Sequence, residues 1–234
     1  LNSVQTLIEK KEKEAWINLM KVISHELLNS ITPIRSLSQN LHELAQQDTF
    51  SEEDVDDMRQ SVSTMLNRSD HLQQFVESYR KLAMLPSPNK QKIALSDWIE
   101  NGLLVMSPLF KTEEITVTNT ITFDRWLWID QQQMEQVVIN LLTNSLYALR
   151  RTSNKQITIS AEIKEKRIFI TITDTGEGVE KEIEDKIFLP FFTTRKEGAG
   201  IGLTLSKSIV ESHGGYLVFQ NDEKTTRFVI CLME

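Results

Sequence analysis

The chain has 234 residues, of which 40% are hydrophobic and 25% are charged, a composition typical of about two globular domains. Its formal net charge of -7 and the lack of a strongly basic stretch exclude a general nucleic-acid-binding function, so we expect no nucleic-acid partner. The single cysteine, Cys231, can form neither a disulfide within the chain nor a thiolate metal site, which fits a reducing compartment.

The sequence also bears on membranes and location. No apolar stretch reaches the roughly 18 residues of a transmembrane helix, and the N-terminal stretch lacks the apolar core of a signal peptide. We therefore expect a cytoplasmic segment with no membrane contact of its own. Because the chain starts without methionine and in helix-like sequence, we expect a fragment of a longer protein. That expectation leaves open an inner-membrane anchor outside the fragment.

Two long helices are predicted for the first third of the chain. Apolar residues recur at alternating steps of four and three, which is the heptad pattern of packed helices. The first seam comprises Trp16, Met20, Ile23, Leu27, Ser30, Ile34, Leu37, Leu41 and Leu44. The second seam comprises Val55, Met58, Val62, Met65, Ser69, Leu72, Val76, Tyr79 and Ala83. Ser51, which acidic residues follow, is predicted to cap the second helix, so the pair forms an antiparallel hairpin.

A hairpin of two helices buries little apolar surface by itself. We therefore expect it to pair with a second copy, which makes a homodimer with a four-helix bundle. Residues 85–92, with two prolines, end the second helix and are interpreted as a linker. The predicted domains are therefore a helical dimerisation domain, residues 1–88, and a second domain, residues 89–234.

The second domain mixes strand and helix periodicities. Five segments alternate apolar and polar residues as half-buried strands do: 115–122, 156–163, 167–174, 214–221 and 226–233. Helical stretches are predicted at about 96–107, 131–151 and 201–213. The whole chain is therefore predicted to be α+β, a helical hairpin followed by a two-layer α/β sandwich with helices on one face of a mixed sheet.

The predicted helix over 131–151 carries two asparagines. Asn140, Asn144, Tyr147 and Arg151 follow one another along one face, apart from the packing stripe. That stripe comprises Val138, Leu141, Leu142, Ser145 and Leu149. An amide oxygen suits Mg²⁺, and an amide NH₂ can donate to phosphate. Two solvated asparagines explain this motif equally well when it is taken alone.

A carboxylate ends the predicted strand over 167–174. Asp174 shares parity with Ile168, Ile170 and Ile172, so it is predicted on the buried face. Burial of a carboxylate is costly unless a donor reaches it, and an adenine amino group is one such donor. Gly176 and Gly178 let the backbone turn closely around a ligand. An ordinary Asp-Thr-Gly turn is the commoner meaning of this motif alone.

A glycine-rich loop precedes the last predicted helix. Gly198, Gly200 and Gly202 lead into that helix, whose first N–H groups and positive dipole favour an anion. Hydroxyls and positive charge come just before, from Thr193, Thr194, Arg195 and Lys196. No strand immediately precedes the loop and no acidic residue follows about 20 positions on in a βαβ unit, so a Rossmann dinucleotide site is excluded.

In their order and joint presence, the three motifs resemble the N, G1, F and G2 boxes of sensor histidine kinases. These enzymes share an ATPase superfamily with gyrase, the MutL mismatch-repair proteins and a class of heat-shock chaperones. The resemblance covers residues 94–234. The stretch "SHELLNSITPIRSL" in turn resembles the family's dimerisation and phosphoacceptor domain.

The resemblance implies a catalytic domain that binds ATP and Mg²⁺. It places adenine against Asp174, Mg²⁺ on Asn140 and the phosphates under a short loop of the nitrogen-regulation type. The other implied nucleotide-binding residues are Asn144, Tyr147, Gly176, Gly178, Thr193, Thr194, Arg195, Gly198, Gly200, Gly202, Leu203 and Thr226. The chain departs from the family at Tyr147, where many relatives have lysine, and at Thr225, where they often have glycine. These departures weaken the assignment of a phosphate contact to that helix and of Thr226 to the adenine pocket.

His25 is the predicted phosphoacceptor. The heptad register points it away from the seam, and an exposed imidazole can attack the γ-phosphorus of ATP if an acceptor holds its other proton. The resemblance assigns that orienting role to Glu26. It assigns to Asn29, four residues on, support of dephosphorylation of a response regulator. The implied reaction is autophosphorylation of His25, followed by transfer to an aspartate of a response regulator receiver domain.

Two other functions remain as alternatives. ATP hydrolysis of the gyrase type needs a glutamate base one turn before Asn140, where this chain has Gln136. Glu135 is adjacent but rotated by about 100° on the helix. The other alternative is a dimeric module that binds ATP and recruits partners without transferring phosphate.

Overall fold

The structure of the protein is a computed structural model that describes residues 2–195, 198, 200–221 and 225–233. Within these ranges it describes the side chains of all but residues 2–16, 18 and 19. The Trp16 side chain and Lys196 therefore lie outside the described part. The chain divides into two compact units, Leu1–Arg80 and Lys81–Glu234. The linker and the boundary after residue 88 remain predictions. Among the described helices, none combines the length and apolarity needed to cross a membrane.

The first unit is a helical hairpin. Helix α1 spans Asn2–Leu44 and helix α2 spans Glu52–Ala83. The Ser51 hydroxyl accepts a hydrogen bond from the Asp54 backbone N–H at 3.1 Å, and Asp54 Oδ2 accepts from the Ser51 N–H at 2.8 Å. This reciprocal pair satisfies two backbone donors at the helix start, which confirms the predicted cap.

The two predicted seams fare differently. All described residues of the α1 seam are half-buried or buried, and Ser30 is 1% exposed. In α2, five of the nine predicted seam positions are half-buried, whereas Val62, Ser69, Val76 and Ala83 are exposed. Phe75, outside the predicted seam, is instead buried. Within a single hairpin the inner face of α2 therefore follows a stripe shifted toward Phe75.

The second unit is a two-layer sandwich. Helices α3 (Leu95–Thr112), α4 (Gln131–Leu149) and α5 (Gly202–Ser212) pack on a five-stranded sheet. Its strands are β2 (Thr116–Asn119), β4 (Gln156–Lys164), β5 (Arg167–Asp174), β6 (Tyr216–Asn221) and β7 (Thr226–Met233). Their order is β2-β4-β5-β7-β6, and only β2 and β4 pair in parallel, so the sheet is mixed. The predicted fold class is confirmed.

A small second sheet was not predicted. Strand β1 (Gln91–Ala94) pairs antiparallel with β3 (Trp126–Ile129), and a short 3₁₀ helix spans Lys181–Lys186. The core lies between α4 and the sheet, where Val138 and Leu142 meet strands whose isoleucines alternate inward. This core holds α4 against the end of β5, and so it fixes the position of the polar side chains described below.

His213 ties the end of α5 to the start of α4. Its Nε2 accepts a hydrogen bond from the Asp130 backbone N–H at 2.9 Å, and its Nδ1 donates to the Ile209 carbonyl at 2.7 Å. Asp130 in turn caps α4 by accepting from the Gln133 N–H at 3.1 Å. Only the neutral imidazole satisfies both contacts, so His213 in this form stabilises the junction between α5 and α4.

We expect this contact to weaken in mild acid. Burial lowers the pKa of His213, and the nearby Lys90 lowers it further. Below the ordinary histidine pKa of about 6.5 the unfolded chain takes up a proton that the folded chain resists, so stability falls as pH decreases from there toward the lowered folded pKa. The free energy of unfolding should therefore be lower at pH 5.5 than at pH 7.5.

Urea unfolding of the wild type and of His213→Gln at both pH values measures this term. The variant should lose less stability than the wild type between the two pH values. His71→Gln, which changes an exposed histidine of α2, should keep the wild-type difference. Equal pH dependence in all three proteins would show that His213 does not contribute.

Candidate functional site

Helix α4 brings most of the predicted site residues together. Its apolar stripe, from Met134 to Leu149, is almost completely buried, which fixes the rotation of the helix. Asn140, Asn144 and Tyr147 consequently lie along a half-buried face, as predicted. Arg151 is exposed, and the neighbouring Arg150 contacts Tyr147 instead.

Asp174 is the most deeply buried acid of the site. It is 1% exposed, on the same face as the buried isoleucines of β5, so the parity prediction is confirmed. Its Oδ2 accepts from the Ser145 hydroxyl at 2.8 Å and its Oδ1 from the Gly176 N–H at 3.0 Å. Burial raises the pKa of Asp174, although these two hydrogen bonds oppose the rise. A carboxylate has about four acceptor positions, so Asp174 can accept further donors from a ligand.

The surroundings of Asp174 are closely packed and polar. Thr226 pairs with Asp174 across β5 and β7, and its buried hydroxyl has no hydrogen-bond partner among the described residues. A Cβ atom on Gly176 would lie 2.6 Å from Ala148 Cβ and 2.8 Å from Asp174 Oδ1, so only glycine fits there. Gly178 has φ +80° and lies beside Asn221. The structure therefore brings Asp174, Gly176 and Thr226 together.

Asn140 joins α4 to the start of α5. Its Nδ2 lies 3.3 Å from both the Gly202 carbonyl and the Ser206 hydroxyl. The amide nitrogen is therefore used within the fold, and the Oδ1 oxygen is the atom with which Asn140 would bind a cation. Leu203 packs partly buried against the core. Among the described residues, no group of three histidine, cysteine or acidic side chains could bind a metal ion by itself.

Asn144 and Arg195 form a second cluster. Arg195 Nη2 donates to Asn144 Oδ1 at 2.6 Å, and the Asn144 Nδ2 is buried with no hydrogen-bond partner in the described structure. The Arg195 guanidinium lies 4.2 Å from the centre of the Tyr147 ring, and so does that of Arg150. We call Asn144, Tyr147, Arg150 and Arg195 the guanidinium cluster.

Three of the predicted loop residues lie close to this cluster or to α4, namely Thr193, Gly198 and Gly202. Thr193 Oγ1 accepts from the Arg195 N–H at 3.0 Å, and a Cβ on Gly198 would lie 3.1 Å from that same oxygen. Gly200 has φ +67° and is in close contact with the Phe191 backbone, and Gly202 faces Asn140. These glycines therefore permit close chain approaches. Thr194 is exposed, and no hydrogen bond joins it to the site among the described residues.

In the first unit, His25 projects from α1 as predicted. Its side chain is 73% exposed. The Asn29 amide nitrogen lies 3.0 Å from His25 Nδ1, while Glu26 Oε1 lies 3.7 Å from the same nitrogen. In this arrangement Asn29, and not Glu26, is within hydrogen-bond distance of the imidazole.

Sequence reasoning missed three contributors. It assigned Ser145 to the packing stripe, yet its hydroxyl donates to Asp174. It gave no role to Ser206, which contacts Asn140, and it placed Arg151 on the face of Tyr147, where Arg150 contacts the ring. A polar residue on an otherwise apolar stripe was the available signal for Ser145.

Comparison with known proteins shows which class of protein this chain is similar to. Residues 129–234 match the family described as histidine kinase-, DNA gyrase B- and HSP90-like ATPase. The sensor histidine kinase ZraS of Salmonella typhimurium is 31% identical over 232 residues, which cover 96% of this chain and 47% of ZraS. The chain thus spans about half the length of this curated relative.

Solved structures agree with the observed fold. The nucleotide-free catalytic domain of histidine kinase ThkA is 25% identical, with a TM-score of 0.57 over 62% of this chain and 95% of that one. ThkA in complex with the response regulator TrrA is 19% identical, with a TM-score of 0.67 over 96% of this chain and 64% of that one. At that identity the second likeness concerns the fold alone.

The fold and the site define an ATPase-type nucleotide-binding domain in the second unit. The relatives that match along nearly the whole chain show in addition that it is similar to sensor histidine kinases.

Proposed function

We propose that this chain uses ATP to phosphorylate His25 and then passes the phosphoryl group to an aspartate of a response regulator. The observation that carries the proposal is the exposed His25 imidazole, with Glu26 and Asn29 beside it, in a chain whose second unit belongs to a nucleotide-binding family. The chain is similar to sensor histidine kinases through both of these regions.

ATP fits the polar groups around α4. The Asp174 carboxylate has acceptor capacity for the adenine amino group, and the Thr226 hydroxyl beside it is buried with no partner among the described residues. The unpaired Asn144 amide and the Arg195 guanidinium are donors suited to phosphate oxygens. Buried polar groups without partners are rare, so these atoms indicate a polar ligand.

Mg²⁺ fits the free oxygen of Asn140. We assign it to Asn140 Oδ1 together with oxygens of the nucleotide, because a hard cation prefers oxygen ligands and retains several waters. When bound, it would neutralise developing charge on the phosphates. The Asn140 contacts to Gly202 and Ser206 hold the amide in place, so the oxygen is oriented before the ion arrives.

His25 acts as the nucleophile in this scheme. A bond forms between its Nε2 and the γ-phosphorus of ATP while the bond from that phosphorus to the bridging oxygen breaks, and ADP leaves. Nε2 must be unprotonated, so Nδ1 carries the proton and needs an acceptor. We assign that acceptor role to Glu26, whose side chain rotates from its present 3.7 Å to within hydrogen-bond distance. The Asn29 amide NH₂, a donor now 3.0 Å from the same nitrogen, turns away in this state.

Transfer onward regenerates the histidine. A receiver aspartate oxygen bonds to the phosphorus, the phosphorus–nitrogen bond breaks, and the imidazole takes up a proton. We assign to Asn29 a role in dephosphorylation of the response regulator, in which it orients the water that removes the phosphoryl group. Its amide lies on the same face as His25, 3.0 Å from the ring.

ATP hydrolysis of the gyrase type is disfavoured by the residues before Asn140. Gln136 cannot accept a proton from water. Glu135 Oε1 already accepts hydrogen bonds from Asn101 at 3.2 Å and from Gln131 at 2.9 Å, so it is engaged elsewhere on α4 and α3.

Incubation with γ-labelled ATP and Mg²⁺ tests the proposal. We expect acid-labile, alkali-stable label on the chain, and transfer of that label to a receiver domain. Binding of ATP with neither label nor turnover would instead identify a nucleotide-responsive binding module. Rapid release of labelled phosphate without labelled protein would identify a hydrolase.

We also propose that the hairpin forms a homodimer. Apolar side chains remain exposed on it, including Leu28 at 63% and Leu66 at 60%. We expect Leu66→Asp to shift the chain from dimer to monomer in light scattering after size exclusion, because a charge on a buried interface is costly. Leu104→Asp, at an equally exposed leucine of α3, should remain dimeric. A dimer that survives Leu28→Asp and Leu66→Asp together would contradict this interface.

A further inference from the structure

The guanidinium cluster contains a half-buried cation, Arg195, with few partners. Arg195 has five N–H donors, yet among the described residues it makes one side-chain hydrogen bond, to Asn144, and no carboxylate pairs with it. Burial lowers the pKa of Arg195, and the charge of Arg150 lowers it further. Placing two positive groups together is unfavourable unless other groups compensate for them.

Tyr147 provides the compensating contact. Its ring centre lies 4.2 Å from both guanidinium carbons, well within the distance for cation–π attraction. The planar guanidinium stacks on an aromatic face, which a lysine ammonium would do less well. Arg150 is also 3.8 Å from Glu113, on the solvent side, so Arg195 is the guanidinium with unused donors.

The cluster therefore has a free anion-binding surface. Its donors are the remaining N–H groups of Arg195 and the unpaired Nδ2 of Asn144, which the bond between Asn144 and Arg195 holds together. Asn144 lies on α4 one turn beyond Asn140, the residue assigned to Mg²⁺, and its hydrogen bond with Arg195 keeps both sets of donors there. A polyanion that reaches Asn140 would therefore encounter these donors next.

We propose that Tyr147 is a positioning residue for the phosphates of ATP. Its ring holds Arg195 against Asn144, so that the two side chains present a preorganised set of phosphate donors. In this way a chain without lysine at position 147 obtains positive charge there from a residue 48 positions further on. This inference rests on the proposed binding of ATP.

Binding of ATP and of AMP, each with Mg²⁺, to the whole chain tests this role. Tyr147→Leu removes the ring and keeps an apolar side chain, and it should weaken ATP binding about tenfold and AMP binding about twofold or less. Tyr147→Phe should rescue most of the ATP affinity, because the ring and not the hydroxyl makes the contact. Tyr216→Leu, at an exposed tyrosine of β6, is the matched control and should bind both nucleotides as the wild type does.

A double variant separates positioning from a general structural effect. If Tyr147 acts through Arg195, then Tyr147→Leu combined with Arg195→Gln should bind ATP no more weakly than Arg195→Gln alone. The inference would be overturned if the fold-losses in ATP affinity of the two single variants multiplied in the double variant. It would also be overturned if Tyr147→Leu weakened ATP and AMP binding equally, or if it bound ATP as the wild type does.

Arg195→Lys provides an independent test should Tyr147→Leu fail to fold. It retains the charge but not the planar stack, so ATP binding should weaken several-fold. Wild-type affinity in this variant would overturn the positioning role. A wild-type chain that binds no ATP would overturn the proposed function as well. ATP binding that is indifferent to Tyr147 would overturn the positioning role alone.

Discussion

Replacement of His25 by glutamine should abolish acid-labile labelling from γ-labelled ATP, with a loss of at least about a hundredfold. The expected effect is large because removal of the nucleophile removes the bond-forming atom, whereas nucleotide binding belongs to a different unit. ATP affinity should therefore be unchanged within about twofold. Scintillation counting of the protein after alkaline and acid treatment, together with an ATP titration, measures both quantities.

His42 is a closely matched control. It is also an exposed histidine of α1, a glutamate follows it, and an amide nitrogen four residues on, that of Gln46, lies 3.1 Å from its Nε2. His42→Gln should leave the labelling of the wild type intact. Label that survives His25→Gln but disappears with His42→Gln would move the phosphoacceptor toward the hairpin turn and contradict the assignment of His25.

The sequence predicted most of the second unit because its elements have strong periodicity. Strand β5 alternates over its whole length, so parity alone placed Asp174 on the buried face. The same periodicity placed Asn140, Asn144 and Tyr147 on one face of α4. The small sheet of β1 and β3 was missed because each strand has four residues and the charged and proline-rich flanks obscure their alternation.

Contacts between distant residues could not be read from local patterns. The hydrogen bond from Arg195 to Asn144 spans 51 positions, and that from Ser145 to Asp174 spans 29. Heptad periodicity likewise located the α2 helix but not its rotation, because Phe75 and the residues beside it offer two apolar stripes one position apart. Packing against α1 decides between such stripes, and a single sequence carries little information about that packing.

A second large effect is expected at the buried carboxylate. Asp174→Asn should weaken ATP binding at least about a hundredfold, because an amide NH₂ in place of an acceptor oxygen faces the adenine amino group with another donor. Stability should change by less than about 1 kcal/mol. The asparagine Oδ1 can still accept from the Gly176 N–H, and the Ser145 hydroxyl can rotate to accept from the new amide. A neutral amide also avoids the desolvation that raises the pKa of Asp174.

Asp124→Asn separates loss of a specific acceptor from loss of any hydrogen-bonded aspartate. Asp124 accepts from the Ser96 hydroxyl at 2.8 Å and from the backbone N–H groups of Ser96 at 3.1 Å and Arg125 at 2.9 Å. Like Asp174, it is therefore bonded by a serine hydroxyl and by backbone N–H. It is exposed, however, and its hydrogen bonds with Ser96 lower its pKa, whereas burial raises that of Asp174. Asp124→Asn should therefore bind ATP as the wild type does while losing some stability. Isothermal titration with ATP and thermal unfolding of both variants measure the affinities and the stabilities. If Asp174→Asn bound ATP within threefold of the wild type, Asp174 would not belong to the adenine site.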